Sequence, residues 1–279
     1  MKNINDIRIR DPFILLFDNR YYMYGTTNLG SGIDAHPKFS VYVSDDLVNF
    51  EGPFVVFDGE KQNFWADKDY WAAEVWQYKG KFYLFGSFRS DTHKRATQIL
   101  VSQSPMGPFV PLSEKPTTPE NWDCLDGTLW VENGQPYMVF CHEWTQCGNG
   151  EICAVRLSDD LSTCLEEPFL LFKAGDNPDV SEIGHGSGVR GKVTDGPFLF
   201  EENGSITMIW SSFSNGKYSV FEATAANIKG EWTHRSSRFD FDGGHAMIFT
   251  DKQGKKFFSL HHPNTVSKER ATFIPYIEE

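Results

Sequence analysis

The chain has 279 residues, 40% hydrophobic and 23% charged, with 24 Phe, 10 Tyr and 8 Trp. That is ample apolar material for a core and excludes intrinsic disorder. The net charge of −12 argues against a nucleic-acid partner, whose phosphates require clustered Lys and Arg, and no run approaches the roughly 18 apolar residues of a membrane helix.

The first predicted element is a hairpin, "DPFILLFDNRYYMYGT" from Asp11, followed by the strand-like "VYVSDDLVNFEGPF". The same phrase returns as "AAEVWQYKGKFYLFGS" from Ala72 with "ILVSQSPMGPF", and as "DGTLWVENGQPYMVFCH" from Asp126 with "AVRLSDDLSTCLEEPF". It returns again as "DGPFLFEENGSITMIWSS" from Asp195 with "VFEATAANIKGEW", and lastly as "HAMIFTDKQGKKFFSLHH" from His245. Each hairpin joins two apolar strands by a polar turn at Asp18-Asn19, Lys79-Gly80, Asn133-Gly134, Asn203-Gly204 or Gln253-Gly254, residues suited to tight turns. Five hairpins, with material for a third and fourth strand between them and with few amphipathic helices, predict an all-β, five-bladed β-propeller with four antiparallel strands per blade. No linker divides residues 1–279, so one domain is expected. A two-sheet sandwich is the alternative, but it gives no reason for the repeat.

The five cysteines, Cys124, Cys141, Cys147, Cys153 and Cys164, are odd in number and contain no CxxC pair. Free thiols in a reducing compartment are expected rather than disulfides or a zinc site. The start "MKNINDIRIRDP" has no apolar leader. The chain is thus expected in the cytoplasm, or secreted or periplasmic if a leader has been removed.

The first strand of each blade should line the channel, so its opening residue should point at the channel mouth. Those openings are Asp11, Ala72, Asp126, Asp195 and His245, with Glu74 two positions beyond Ala72 on the same strand face. Acids from separate blades therefore converge, an arrangement that drives carboxyl pKa values apart. Thr26, Ser87, His142, Glu143, Ser211, Ser212, His261 and His262 should rim the same mouth, where Trp71 and Trp144 offer flat platforms for sugar rings. His185, in "GHGSGV", could reach the rim or be only a loop residue.

"RDPFI" at Arg10, "WAAEV" at Trp71, "LDGTLWV" at Leu125, "TDGPFLF" at Thr194 and "GGHAMIFTDKQGKKFFSLHHPN" at Gly243 together resemble glycoside hydrolase family 43, in order and over nearly the whole chain. The resemblance implies a five-bladed propeller that inverts arabinofuranosyl or β-xylosyl linkages in oligo- or polysaccharides. It implies Asp11 as general base, Asp126 as the residue tuning and orienting the acid, and position 195 as the acid. It also places His245 at the channel centre beside a calcium ion or water.

At one point the chain departs from the family pattern. The family's acid is usually Glu before Gly-Pro, whereas here Asp195, one methylene shorter, precedes Gly196-Pro197. Glu143 is the first substitute, followed by Glu74 and Glu182. The shortened acid also motivates a different reading, a carbohydrate-binding propeller without turnover. A phosphorylase or lyase is a third; a phosphorylase would draw its phosphate pocket from Arg10, Arg89 or Arg190.

Overall fold

The structure, a computed structural model, describes residues 1–27, 37–186 and 188–277. Five antiparallel sheets follow one another along the chain, with inner strands Arg10–Phe17, Lys68–Tyr78, Cys124–Glu132, Asp195–Glu202 and Gly244–Thr250. Each inner strand packs on those of adjacent sheets, closing a five-bladed β-propeller. The first four hairpins turn as expected, with left-handed backbone at both turn residues: Asp18 and Asn19 (φ +46° and +58°), Lys79-Gly80, Asn133-Gly134 and Asn203-Gly204. This mirror-image turn matches the strand twist. The fifth departs from the two-residue expectation. It runs from Asp251 to Lys255, with the Asp251 carboxylate accepting from the backbone N–H of Gln253 and Lys255 and only Gly254 left-handed.

Four strands per blade holds for blades 2, 3 and 4 but not for the pair at the ring closure. Blade 5 has three strands, Gly244–Thr250, Lys256–His262 and Arg270–Pro275. Blade 1 gains a fifth, because Lys2–Asn3 pairs with its outer strand Asn49–Asp58. The same N-terminal segment then crosses to blade 5, where Arg8 bridges Arg270 and the Ile9 N–H reaches the Glu269 carbonyl. One short segment thereby staples the first blade to the last.

The five inner strands share a bulge that sets the site. Every one shifts register directly after the residue paired to the end of the second strand (Arg10, Trp71, Leu125, Asp195 or Gly244), and at the shift the backbone is left-handed: Asp11 (φ +54°), Ala72 (+48°), Asp126 (+55°), Gly196 (+49°) and His245 (+53°). A bulge of this kind kinks the strand and re-aims its side chains. It also corrects the sequence alignment. Asp195 is not the fourth member of the ring formed by Asp11, Asp126 and His245; Gly196 is, and Asp195 shares its position with Arg10, Trp71, Leu125 and Gly244, each paired to the second strand in the same way.

The kinked residues are clasped from blade to blade. The Ala72 N–H donates to Thr26 Oγ1 (2.8 Å), Asp126 N–H to Ser87 Oγ (2.9 Å), His245 N–H to Ser211 Oγ (2.7 Å) and Asp11 N–H to His261 Nδ1 (3.3 Å). The remaining, fifth equivalent is Cys141, a poor acceptor, and there the Gly196 N–H donates instead to Asp126 Oδ2 (3.0 Å). Below this layer Phe13, Trp76 and Phe198 close the axis, with Trp76 stacked on Phe198 at 5.6 Å. All five cysteines are free thiols.

Glu74 lies on the inner strand of blade 2, with one oxygen accepting from Thr128 Oγ1 (2.6 Å) and Trp76 Nε1 (3.0 Å). Burial raises its carboxyl from the ordinary 4.5 to about 7, with the Asp126 charge adding to the effect and the two hydrogen bonds and His245 opposing it. Since the unfolded chain ionises near 4.5 and the folded one near 7, the stability from keeping Glu74 protonated is complete below 4.5. It is lost as pH rises to about 7. Glu74→Gln keeps the accepting oxygen and removes the titration. At 1.36 kcal/mol per pH unit, its stability relative to wild type is expected to improve by about 3 kcal/mol between pH 4 and pH 8. That corresponds to a relative gain of roughly 5–10 °C in melting temperature, read by calorimetry at both pH values. A constant difference at the two pH values contradicts this account.

Candidate active site

A cavity of about 990 Å³ opens at the mouth of the channel, lined by Asp11, Asp126, Asp195 and His245 at its floor and by Trp71, Glu143, Trp144 and His185 on its walls. Asp11 is held as an anion. Burial alone would raise its carboxyl, but the charge of His245 and the nearby His261 and Arg10 side chains pull it far below the usual carboxylate range. Its Oδ2 accepts from Thr26 Oγ1 at 2.6 Å, while Oδ1 lies 3.2 Å from His245 Nδ1.

Asp195 and Asp126 move the other way. Burial is the largest cause for each; the charge of Asp126 and then that of Glu143 lift Asp195 further, and Asp11 lifts Asp126. Two carboxyls that line one cavity and raise one another in this way resist ionising together at neutral pH. Asp126 accepts from the Gly196 N–H, so its orientation is fixed by the strand carrying Asp195. Gly196 has to be glycine: its φ is +49° and an added Cβ would lie 2.7 Å from the His245 ring. The tight approach of His245 to that backbone brings the imidazole between Asp11 and Asp126, with Nδ1 3.8 Å from Asp126 Oδ2.

Calcium takes six to eight oxygen ligands. The carboxylate oxygens near His245 Nδ1 among the described residues are those of Asp11 and Asp126, already engaged by Thr26, His245 and the Gly196 N–H. That is too few for a calcium ion held by protein oxygens alone, so an ion beside His245 would take most of its shell from water; the imidazole itself is a partner of the two acids.

Glu143 lines the cavity, but its carboxylate is clamped by Arg95 Nη1 (2.7 Å). Burial raises its pKa and Arg95 opposes this. Arg95 in turn grips Asp69 with Nε and Nη2 and lies 4.5 Å over the Trp71 ring. Trp144 and His185 meet with ring centroids 6.3 Å apart. His142 does not reach the cavity. It follows Cys141, the residue paired with Leu125, and its ring stacks on Trp122 at 4.4 Å between Glu151 and Gln146. Glu74 sits below the kinked layer rather than on the cavity wall, and Glu182 pairs with Arg190 at the surface.

Several cavity residues had no sequence signal. Asp69 and Arg95 come from outside the repeated hairpins, and Glu269 joins Arg8 (3.1 Å) and Arg10 (3.6 Å) across the closure of the ring. Tyr218, on the third strand of blade 4, donates its hydroxyl to Asp195 Oδ2 at 3.0 Å. Only its place two residues past an Asn-Gly turn marked it, and that position carries no chemistry of its own.

The model of the glycosyl hydrolases family 43 matches residues 3–278. The chain belongs to that family. Among solved structures, an endo-arabinase from Bacteroides thetaiotaomicron superposes with a TM-score of 0.92 at 40% identity, covering 99% of this chain and 97% of that one. A xylosidase/arabinosidase of Bacteroides ovatus is 27% identical over 139 residues, 44% of this chain and 42% of that protein. An extracellular exo-α-(1→5)-L-arabinofuranosidase of Cellvibrio japonicus is 25% identical over 173 residues, 56% and 45% of the two. This family-43 chain thus matches less than half the length of these two curated relatives.

Proposed function

We propose that this family-43 chain is an inverting glycoside hydrolase acting on arabinofuranosyl linkages of arabinan-type oligo- or polysaccharides. The observation that carries the reading is the split among three carboxyls that line one cavity, Asp11 and Asp126 buried and Asp195 half-buried: Asp11 held ionised, Asp195 and Asp126 pushed toward the protonated form. Inversion needs one carboxylate to activate water and one carboxylic acid to protonate the leaving oxygen. Asp11 fills the first role. It takes a proton from the attacking water as that oxygen bonds to the anomeric carbon, with His245, His261 and Arg10 stabilising the charge it carries beforehand.

Asp195 fills the second role, giving its proton to the leaving oxygen as the glycosidic bond breaks and its electron pair departs with that oxygen. Asp126 keeps the acid protonated through its charge and shares a strand contact with it. Trp71, Trp144 and the Arg95 clamp form walls for the sugar chain, and about 990 Å³ is room for several sugar units rather than one. Arabinose as the sugar rests on the endo-arabinase likeness at 40% identity.

The test is a panel of arabino- and xylo-oligosaccharides and aryl glycosides, with the first-formed anomer followed by proton NMR. Release of inverted arabinose or arabino-oligosaccharide is expected. Turnover confined to xylosides moves the substrate to β-xylosyl linkages, retention of configuration removes the mechanism, and binding without turnover makes the chain a sugar-binding propeller.

A further inference from the structure

We propose that Tyr218 is a positioning residue for the acid: its hydroxyl engages Asp195 Oδ2 and so assigns the transferable proton to Oδ1. This rests on the reading of Asp195 as proton donor. An aspartic acid carboxyl is close to two-fold symmetric about its last torsion, so an unrestrained Asp195 would present either oxygen, protonated or not, to the leaving group. A phenol that donates to one oxygen breaks that symmetry. The oxygen it engages is the acceptor, and the proton must sit on the other.

The tyrosine is built to hold that bond. Its side chain is fully buried, and its ring lies nearly parallel to His261, 5.5 Å away with a 19° interplanar angle. Its N–H donates to Asp242 Oδ1 at 3.0 Å. Gly244, the blade 5 residue at the position that Asp195 occupies in blade 4, makes room for the ring: a Cβ there would lie 2.7 Å from Tyr218 Cε1. Burial and the neighbouring Asp195 and Asp11 charges drive the phenol well above its ordinary pKa, so it remains a donor wherever the enzyme works.

During turnover the Oδ1 proton passes to the leaving oxygen as the glycosidic bond breaks. The resulting carboxylate is stabilised at Oδ2 by the same hydroxyl, which lowers the cost of giving the proton up. The bond thus acts on the step that needs an acid and not on sugar binding. In a chain whose acid is one methylene short, it fixes the reach of a carboxyl that the backbone alone leaves free to turn.

The experiment compares wild type and Tyr218→Phe on arabino-oligosaccharides, whose leaving group needs protonation, and on 4-nitrophenyl arabinosides, whose leaving group hardly does. The expected result is a kcat roughly ten- to a hundredfold lower on oligosaccharides. KM and the melting temperature should be unchanged and the loss on the aryl substrate under about threefold, because general-acid assistance contributes little there. The alkaline limb of the pH profile should move up, because the lost bond favoured the anion. Equal losses on both substrates, or an unmoved limb, overturn the proposal while leaving the glycosidase reading intact. Should wild type turn over neither substrate, the glycosidase reading falls and the proposal with it. If Tyr218→Phe does not fold, 3-fluorotyrosine at position 218, a stronger donor of the same shape, should move the limb down, and a limb that stays put overturns the proposal.

Discussion

Asp11→Asn is expected to lower kcat on arabino-oligosaccharides by roughly 10³- to 10⁴-fold, the upper range for loss of a general base, and by a similar factor on 4-nitrophenyl arabinosides. The equality follows from chemistry: water attacks the anomeric carbon in both cases, so a good leaving group cannot compensate for a missing base. The amide is nearly the shape of the carboxylate, and its oxygen can still accept from Thr26. The fold should therefore survive. What changes is charge, since Asp11 is the anion against which His245, His261 and Arg10 are arranged. Steady-state kinetics on both substrates decide the matter, and a loss under about tenfold on either would remove Asp11 from the role of base.

Much of the fold was legible because each hairpin carries its own local chemistry. Asn133-Gly134 and Asn203-Gly204 announce mirror-image turns, and five apolar hairpins in succession leave few architectures other than a propeller. Matching acid to acid put Asp195 opposite Asp11, although "DPFI" laid over "GPFL" would have put Gly196 there, where the left-handed kink falls. The apolar run keeps register through a bulge, and the acids do not. His142 went astray by one residue, because Cys141 is the residue that pairs with Leu125. The walls could not be read at all. Arg95, Asp69, Glu269 and Tyr218 join the site through contacts distant in sequence, such as Arg10 with Glu269 and Tyr218 with Asp195. The strand count failed at blades 1 and 5 because closing a ring is a property of both chain ends at once.

Asp195→Asn and Glu143→Gln should separate the two candidate acids by leaving-group dependence. Asp195→Asn is expected to lose roughly 10³-fold in kcat on arabino-oligosaccharides but only about tenfold on 4-nitrophenyl arabinosides, since only the first needs a proton delivered. Glu143 is held by Arg95, which also lies over Trp71. Glu143→Gln should therefore raise KM on both substrates by a similar factor and leave their kcat ratio alone. The reverse pattern would make Glu143 the acid. The pH profile adds an independent sign. The acid must be protonated to act, so activity falls on the alkaline side as Asp195 ionises, and burial with the Asp126 and Glu143 charges sets that limb well above the ordinary carboxylate range. Asp126→Asn removes one of those charges while its amide oxygen can still receive the Gly196 N–H. A lost like charge makes Asp195 easier to ionise, so the alkaline limb should move to lower pH by about one unit or more. The acid limb, governed by Asp11, lies far lower and should remain outside the accessible range. An alkaline limb that moved up, or did not move, would mean that Asp126 does not hold the proton on Asp195.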